Sequence, residues 1–440
     1  MKTEKIYWRL IWLLALAGLF VMFYGPYYRI CGNGFLRYQQ LCLLLEEGHL
    51  TPQRFPLFGT MFAIPLYYLD HGLDACGWLL SRYNYLLFLL GLAGLVIVLR
   101  KQLSVRALLF FVILLTGGSL FGDADRFFYG ETFTAMLVGV GLAWFAVRGR
   151  QAGWLLAAAG VLNTSAAVVG LGLAALRTLW RERRVRYAFY VVVTALLVIV
   201  ELRIVTGQWL VSGYDDIKNL QTVLPYSHLP GFSYPLGFGI LSILFSFGKG
   251  LLFFCPGLLL LWPRLRRPEP DDPLRECYLL WLCFLVGLIL VYSKWWAWYA
   301  GWCYGPRFFL FASLPASLVL AERLAQGLSG NGWVNLGVWG IMLLQVWAGI
   351  CGAVFGTDNL AVCSANEYQL EYLTWYVPEF SVLWRPFIAM RELRFRDLLV
   401  LVYGAAVMLL LSWPFIVFFA GRFKYWGGVV RTRLSSGWRW

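Results

Sequence analysis

The sequence predicts an all-α polytopic membrane protein, and three observations carry that prediction. Hydrophobic residues fill 60% of the 440 positions and charged residues only 14%, with a mean hydropathy of +0.67. Apolar runs recur along the chain at close to the roughly 20 residues that cross about 30 Å of hydrocarbon as helix. The cations are clustered: 23 of the 37 Lys and Arg fall in the short segments 2–9, 100–106, 148–150, 177–186, 264–275, 323 and 422–439. A net charge of +14 would suit nucleic acid, but cations placed in short loops beside apolar runs are topology determinants, so no nucleic-acid partner is expected.

Placing those clusters in the cytoplasm puts both termini inside. Met1–Arg9 has the charge of a signal-peptide n-region, but no small-residue cleavage site follows Phe23, so 10–24 reads as a retained first span. Further spans are expected near 84–99, 107–121, 131–147, 187–205, 250–263, 277–293, 307–322, 333–355 and 398–420. Residues 150–181 are basic at both ends with about 26 residues between, too few for two crossings, which need about 40. Asn163-Thr-Ser165 interrupts this segment, which predicts a helical hairpin entering from the cytoplasmic side; irregular backbone at that depth needs surrounding protein.

Three long segments, 25–83, 206–249 and 356–397, remain outside. The first opens with a helix stop, Tyr24-Gly-Pro-Tyr-Tyr28. Beyond it Phe35, Tyr38, Cys42 and Leu45 share one helical face and Arg37, Gln40 and Glu47 another, the pattern of a helix lying along the interface. Residues 56–69 are apolar but short and proline-interrupted. No linker divides the chain, so 1–420 reads as one membrane domain and 421–440 as a basic cytoplasmic tail. Nine cysteines without a CxxC, and three histidines, argue against a zinc or haem site. Cys31, Cys42 and Cys363 fall outside, where a disulfide can form, but free apolar thiols are the simpler reading.

The stretch Lys294-Trp-Trp-Ala-Trp-Tyr-Ala-Gly-Trp-Cys-Tyr-Gly-Pro-Arg-Phe-Phe309 stands out. Trp and Tyr anchor chains at the lipid headgroups, which accounts for the aromatics. Lys294 and Arg307 need more, because a charge near hydrocarbon faces a cavity, a partner or an anionic ligand.

Four stretches, Phe128-Tyr-Gly-Glu-Thr132, Leu244-Phe-Ser-Phe-Gly-Lys-Gly-Leu251, Trp302-Cys-Tyr-Gly-Pro-Arg307 and Tyr376-Val-Pro-Glu379, together with the order of spans and external loops, carry a resemblance. The chain resembles the GT-C class of polyprenyl-phosphate-sugar-dependent glycosyltransferases, in a bacterial branch near the protein mannosyltransferases and aminoarabinose transferases. The resemblance covers roughly residues 10–320. It implies a GT-C-like fold of about 10–12 membrane or half-membrane helices with extracytoplasmic interfacial helices, in a bacterial inner membrane. It also implies a polyprenyl-phosphate-linked sugar as donor, a glycan, lipid or protein as acceptor, and contact with membrane lipids.

The chemistry of such a donor can be read against the residues independently. Its phosphate calls for cations and backbone N–H groups, Arg as a planar fork and Lys as a point charge. Arg307 follows Gly305-Pro306 at a predicted helix start, and Lys249 is flanked by Gly248 and Gly250; with Lys294 they are the expected phosphate-binding residues. Transfer to a hydroxyl calls for a carboxylate to take the acceptor proton. Asp123, Asp125 and Glu131 cluster in one short external loop and are the expected catalytic acids, as base or as holders of a divalent metal ion. Arg126 can simply pair with one of them. Asn33, Arg37, Tyr129, Trp298, Trp302 and Tyr304 are expected to line the substrate site.

GT-C enzymes carry an acid in the first external loop, where this chain has Asn33, and an amide cannot act as a base. Glu46 or Glu47 can supply the acid instead, or Asp123 or Asp125, or the chain is a non-catalytic relative. Tyr214, Asp215, Asp216, His228 and Tyr234 form a weaker sugar-site candidate. Trp295 and Trp296 fit a site or an aromatic belt equally well. A lipid or glycan transporter is the alternative class, although transporters place charges at the midplane and use repeated, broken helices.

Overall fold

The computed structural model describes every residue except 1, 73–76, 210–221, 228, 230, 261, 267–271, 302, 357–359, 389–391 and 437–440. Its first helix, Lys2–Tyr24 (α1), stops at Gly25-Pro26: the ring of Pro26 removes the next donor, and the Gly25 N–H closes the last turn on the Val21 carbonyl. Asn33–Cys42 (α2) runs on as a π-turn over Leu43–Glu47. Then follow Tyr83–Leu99 (α3), Val105–Gly117 (α4), Glu131–Arg148 (α5), Ala152–Leu162 (α6), Ala167–Glu182 (α7) and Arg186–Thr206 (α8). Leu236–Phe245 (α9), Pro273–Lys294 (α10), Ser313–Ala325 (α11), Gly332–Phe355 (α12) and Phe395–Ser436 (α13) complete the main helices. Among the described residues the only β-type pairing is an isolated bridge between Arg29 and Phe127.

Among the described residues eight helical stretches are long and apolar enough to cross a membrane: Glu4–Tyr24, Leu80–Leu99, Glu131–Arg148, Arg186–Thr206, Pro273–Lys294, Arg307–Ala325, Gly332–Phe355 and Phe395–Arg422. The chain is thus an all-helical, multi-pass membrane protein. Two expected spans differ. The span expected at 107–121 is α4, of 13 residues, closed by Gly117-Gly118. The span expected at 250–263 is not one helix. A helical turn at Leu251–Phe254 breaks at Cys255-Pro256, and a 3-10 turn at Pro256–Leu259 follows.

This segment nevertheless packs against α11. Lys249 sits against Cys303 at one end, and the Trp262 indole donates to Glu322 at the other. Gly257 lets the irregular strand lie against its neighbours. Its N–H donates to Gln345 Oε1 of α12 at 3.1 Å, and a Cβ there would fall 2.3 Å from the Ala316 carbonyl of α11. Backbone of this kind survives at depth only inside protein, and these two helices provide the cover.

The interrupted segment forms the expected hairpin, α6 and α7, broken after Asn163. Small residues seat it. A Cβ on Gly141 of α5 would lie 2.5 Å from the Gly153 carbonyl of α6, and one on Gly287 of α10 would lie 2.4 Å from the Gly170 Cα of α7. Without a hydrophobic drive between helices in lipid, such backbone approach is the main source of adhesion. The hairpin tip rises to the start of α5, where Asn163 Nδ2 donates to the Gly130 carbonyl at 2.7 Å.

Two further expectations change. In α2 part of the face read as polar turns inward: Gln40 is buried, and Arg37 reaches Pro56 and Asn163, while Glu47 beyond it stays exposed. The segment expected as a tail, 421–440, continues α13 as helix to Ser436. At this end, opposite Arg307, buried acids are neutralised in pairs: Glu276 by Arg177 and Arg181, Asp272 and Glu322 by Arg264.

Candidate functional site

The first turn of α5, the tip of the hairpin, α2 and the 3-10 turn Arg307–Ala312 meet around one cavity of about 210 Å3. Its polar half holds three arginines, Arg37, Arg54 and Arg307, against a single lining carboxylate, Glu131. Its other half is apolar, built mainly from Phe284, Leu288 and Tyr292 of α10, Leu202 of α8, Phe308 and Phe311. A cationic pocket continuous with an apolar wall suits an amphiphile with an anionic head.

Local sequence explains how the polar groups are aimed. Glu131 is the first residue of α5 and Arg307 the first after Pro306, so both side chains stand at helix starts rather than inside helix bodies. Arg307 Nε lies 3.0 Å from Glu131 Oε1, and its guanidinium covers the Tyr129 ring at 4.4 Å. Tyr129 is itself stacked on Phe127. Arg37 donates to the Pro56 carbonyl at 2.8 Å and lies over the Phe55 ring. Gly130 is required between these groups: a Cβ would fall 2.3 Å from Asn163 Nδ2 and 2.9 Å from Arg37 Nη2.

The expected site residues separate into two groups. Asn33, Arg37, Tyr129, Glu131 and Arg307 all line the cavity. Asp123 and Asp125 do not. Arg126 explains why: its Nη1 donates to the Gly352 and Ala353 carbonyls at the end of α12, a favourable seat for a cation. That contact draws the loop under α12, and Asp123 follows as the ion-pair partner of Arg126 at 3.5 Å. Asp125 is buried and accepts from Thr132 Oγ1 at 2.8 Å. Burial raises the Asp123 carboxyl to about 6, against the pull of Arg126, Lys249 and Arg307, and holds Asp125 well above the usual range.

Lys249 also lies away from the cavity. It is buried, and its ammonium donates to the Gly301 and Cys303 carbonyls at 3.1 and 2.6 Å, fastening the 297–303 turn. Glu371 is buried near it, and burial lifts that carboxyl to about 7 even with the ammonium opposing. Lys294 ends α10, where its carbonyl takes the Tyr234 N–H. Trp298 packs on Trp375 and Tyr376, and the Tyr304 hydroxyl donates to the Ala348 carbonyl at 2.6 Å, so neither lines the cavity. Trp302, Tyr214, Asp215, Asp216 and His228 lie outside the described residues.

Trp295 and Trp296 are buried rather than arrayed as an exposed belt, and Trp295 joins the cavity wall. Glu46 is tied to the Tyr67 hydroxyl, and Glu47 lies beside His49. Cys31, Cys42 and Cys363 are free thiols. Among the described residues no group of three His, Cys, Asp or Glu is placed to hold a metal ion. Sequence reading missed Arg54 and Asn163 as site residues. Asn163 had a signal, since a polar residue at the break of an apolar hairpin must find partners; Arg54 had none.

No protein-family model, curated protein or solved structure matches this chain. What the fold and the cavity define is a class: a multi-pass membrane protein with an arginine-rich, half-apolar cavity at one end of its helices.

Proposed function

We propose that the chain is a membrane glycosyltransferase that takes a sugar from a polyprenyl-phosphate donor and passes it to an acceptor hydroxyl. The observation that carries this reading is the composition of the cavity: three arginines and one carboxylate at a polar end, and an aromatic and aliphatic wall beside it. Arg307, with Arg37 and Arg54, takes the phosphate; the wall from α8 and α10 takes the first isoprenoid units. The phosphate displaces Glu131 from Arg307, so donor binding itself releases the carboxylate. Glu131 then accepts the proton of the acceptor hydroxyl while its oxygen bonds to the anomeric carbon. The bond from that carbon to the phosphate oxygen breaks, and polyprenyl phosphate leaves with the electron pair beside the arginines.

Asp123 and Asp125 serve the loop rather than the reaction in this scheme. Asn33 lines the cavity without acting as base, and Glu131 takes the role that the first-loop acid has in the resembling family.

A lipid flippase is the second reading, favoured by the broken hairpin and the interrupted helical turns at 251–259, since discontinuous helices are common in transporters. One assay separates the two. The purified protein in detergent, offered a panel of labelled polyprenyl-phosphate sugars with glycan, peptide and lipid acceptors, should consume one donor. A flippase leaves every donor intact there and moves lipid only across sealed vesicles.

A further inference from the structure

A second cavity lies at the opposite end of the molecule and has no part in the scheme above. It encloses about 160 Å3 among α1, α4, α11, α12 and α13, with Tyr7, Trp8, Arg106, Arg323, Pro414 and Phe415 in its wall. Arg307 of the first cavity and Arg323 of the second stand near opposite ends of one helical stretch, Arg307–Ala325, whose first six residues form a 3-10 turn.

Pro414 shapes one wall. Inside α13 it cannot donate to the carbonyl four residues back, Leu410, and the Tyr7 hydroxyl donates to that carbonyl instead at 3.2 Å. Arg106 lies over the Trp8 ring at 4.6 Å, and its ion pair with Glu4, at 3.4 Å, joins two side chains more than half exposed. An exposed pair of that kind yields readily to a better ligand. Arg323 donates to the Gly327 carbonyl at 2.9 Å and, among the described residues, has no acidic partner. The contrast with Arg177, Arg181 and Arg264 at the same end, each tied to a buried acid, is plain.

A shallower groove over Glu4, Lys5, Arg9 and Trp12 shares Trp8 with the cavity and adds two cations. Trp12, Leu13 and Leu16 stand exposed further along α1, an apolar track leading away from the charges. Cations over a hollow, an aromatic floor and an exposed apolar track together fit a phosphate carrying acyl chains better than a soluble phosphate.

We propose that this cavity holds the headgroup of one anionic membrane phospholipid, with Arg106 and Arg323 on its phosphate and Trp8 and Phe415 against the glycerol and upper acyl carbons. Native mass spectrometry of the full chain, with dioleoyl phosphatidylglycerol or dioleoyl phosphatidylcholine added to the detergent, tests it. The parent should retain one phosphatidylglycerol and no phosphatidylcholine. The Arg106→Gln, Arg323→Gln double variant should lose about tenfold or more of that binding, at about 1 kcal/mol per cation. Leu328→Trp narrows the cavity while leaving both arginines in the sequence and should also lower retention, which keeps the test sound if the double variant fails to fold. Arg100→Gln, an exposed cation at the same end, should change nothing. Equal retention of both lipids, an equal loss in Arg100→Gln, unchanged retention in Leu328→Trp, or full displacement by soluble glycerol 3-phosphate would each overturn the assignment.

Discussion

At the residue scale, the Arg307–Glu131 pair has two consequences that can be measured separately. Arg307→Ala should weaken donor binding by about 1.5–3 kcal/mol, the value of a charged contact out of water. Arg307→Lys should restore only part of it, because an ammonium lacks the planar fork. Equilibrium binding of a labelled polyprenyl phosphate reads both. Glu131→Gln removes the competitor for Arg307, so binding should hold or tighten while transfer falls. Asp123 and Glu371 make a different prediction. Their ordinary values of 3.8 and 4.5 rise to about 6 and about 7 on burial. Between about pH 4 and 7 the unfolded chain is therefore the more ionised state, and stability falls as pH rises through that window. Apparent melting in detergent should drop from pH 5 to pH 8, and Glu371→Gln should shrink the drop; a rise with pH would contradict the burial argument.

Five of the expected site residues meet in the cavity, and for two of them, Glu131 and Arg307, the signal was local: a charge beside Gly or Pro at a helix start. Those that went elsewhere did so for tertiary reasons. Lys249 looked like a phosphate ligand through its flanking glycines, yet Gly248 is small because a Cβ would fall 1.8 Å from the Thr374 carbonyl. Asp123 was carried off by Arg126, whose partners on α12 lie more than two hundred positions away. Nothing in either stretch of sequence announces those contacts.

At the element scale, the hairpin α6–α7 is the part on which the cavity depends, since its tip orients Gly130, Arg37 and the first turn of α5. Its seat is backbone on backbone at Gly153 and Gly170. Gly287→Leu should push α7 from α10 and cost at least about 2 kcal/mol, in the upper half of the range for overpacking a side-chain core. Leu at Gly337, where a Cβ meets nothing within 4 Å, is the matching control on a helix. Chemical denaturation in detergent distinguishes them. Elements of strong apolar character, such as α5, α8, α10 and α12, were legible because composition alone decides them. The segment expected as a span at 250–263 was legible as apolar but not as broken, since it took Gln345 of α12 to satisfy the Gly257 N–H.

The 295–307 turn carries strain of its own. Ala300 sits at φ 68°, between a turn and Gly301 at φ 69°. A side chain in that region costs about 1–2 kcal/mol, so Ala300→Gly should stabilise the protein modestly. A loss of stability would mean that the methyl packs favourably enough to outweigh the strain.

At the scale of the whole molecule, the cavity end and the end bearing Arg183 should face opposite sides of the membrane. In intact cells a membrane-impermeant thiol reagent should modify a cysteine placed at Arg54, on a cysteine-free background, and spare one placed at Arg183. The reverse pattern would invert the topology that the basic clusters suggest. The central claim, that the arginine-rich cavity binds and cleaves a lipid-linked sugar, is tested most directly by following a labelled polyprenyl-phosphate sugar through one turnover with parent and Glu131→Gln protein in detergent. The parent should transfer the sugar and the variant should lose about a hundredfold to ten-thousandfold in rate, with donor binding kept. Transfer at parental rate by Glu131→Gln, or a parent that neither binds nor consumes any donor in the panel, would contradict it.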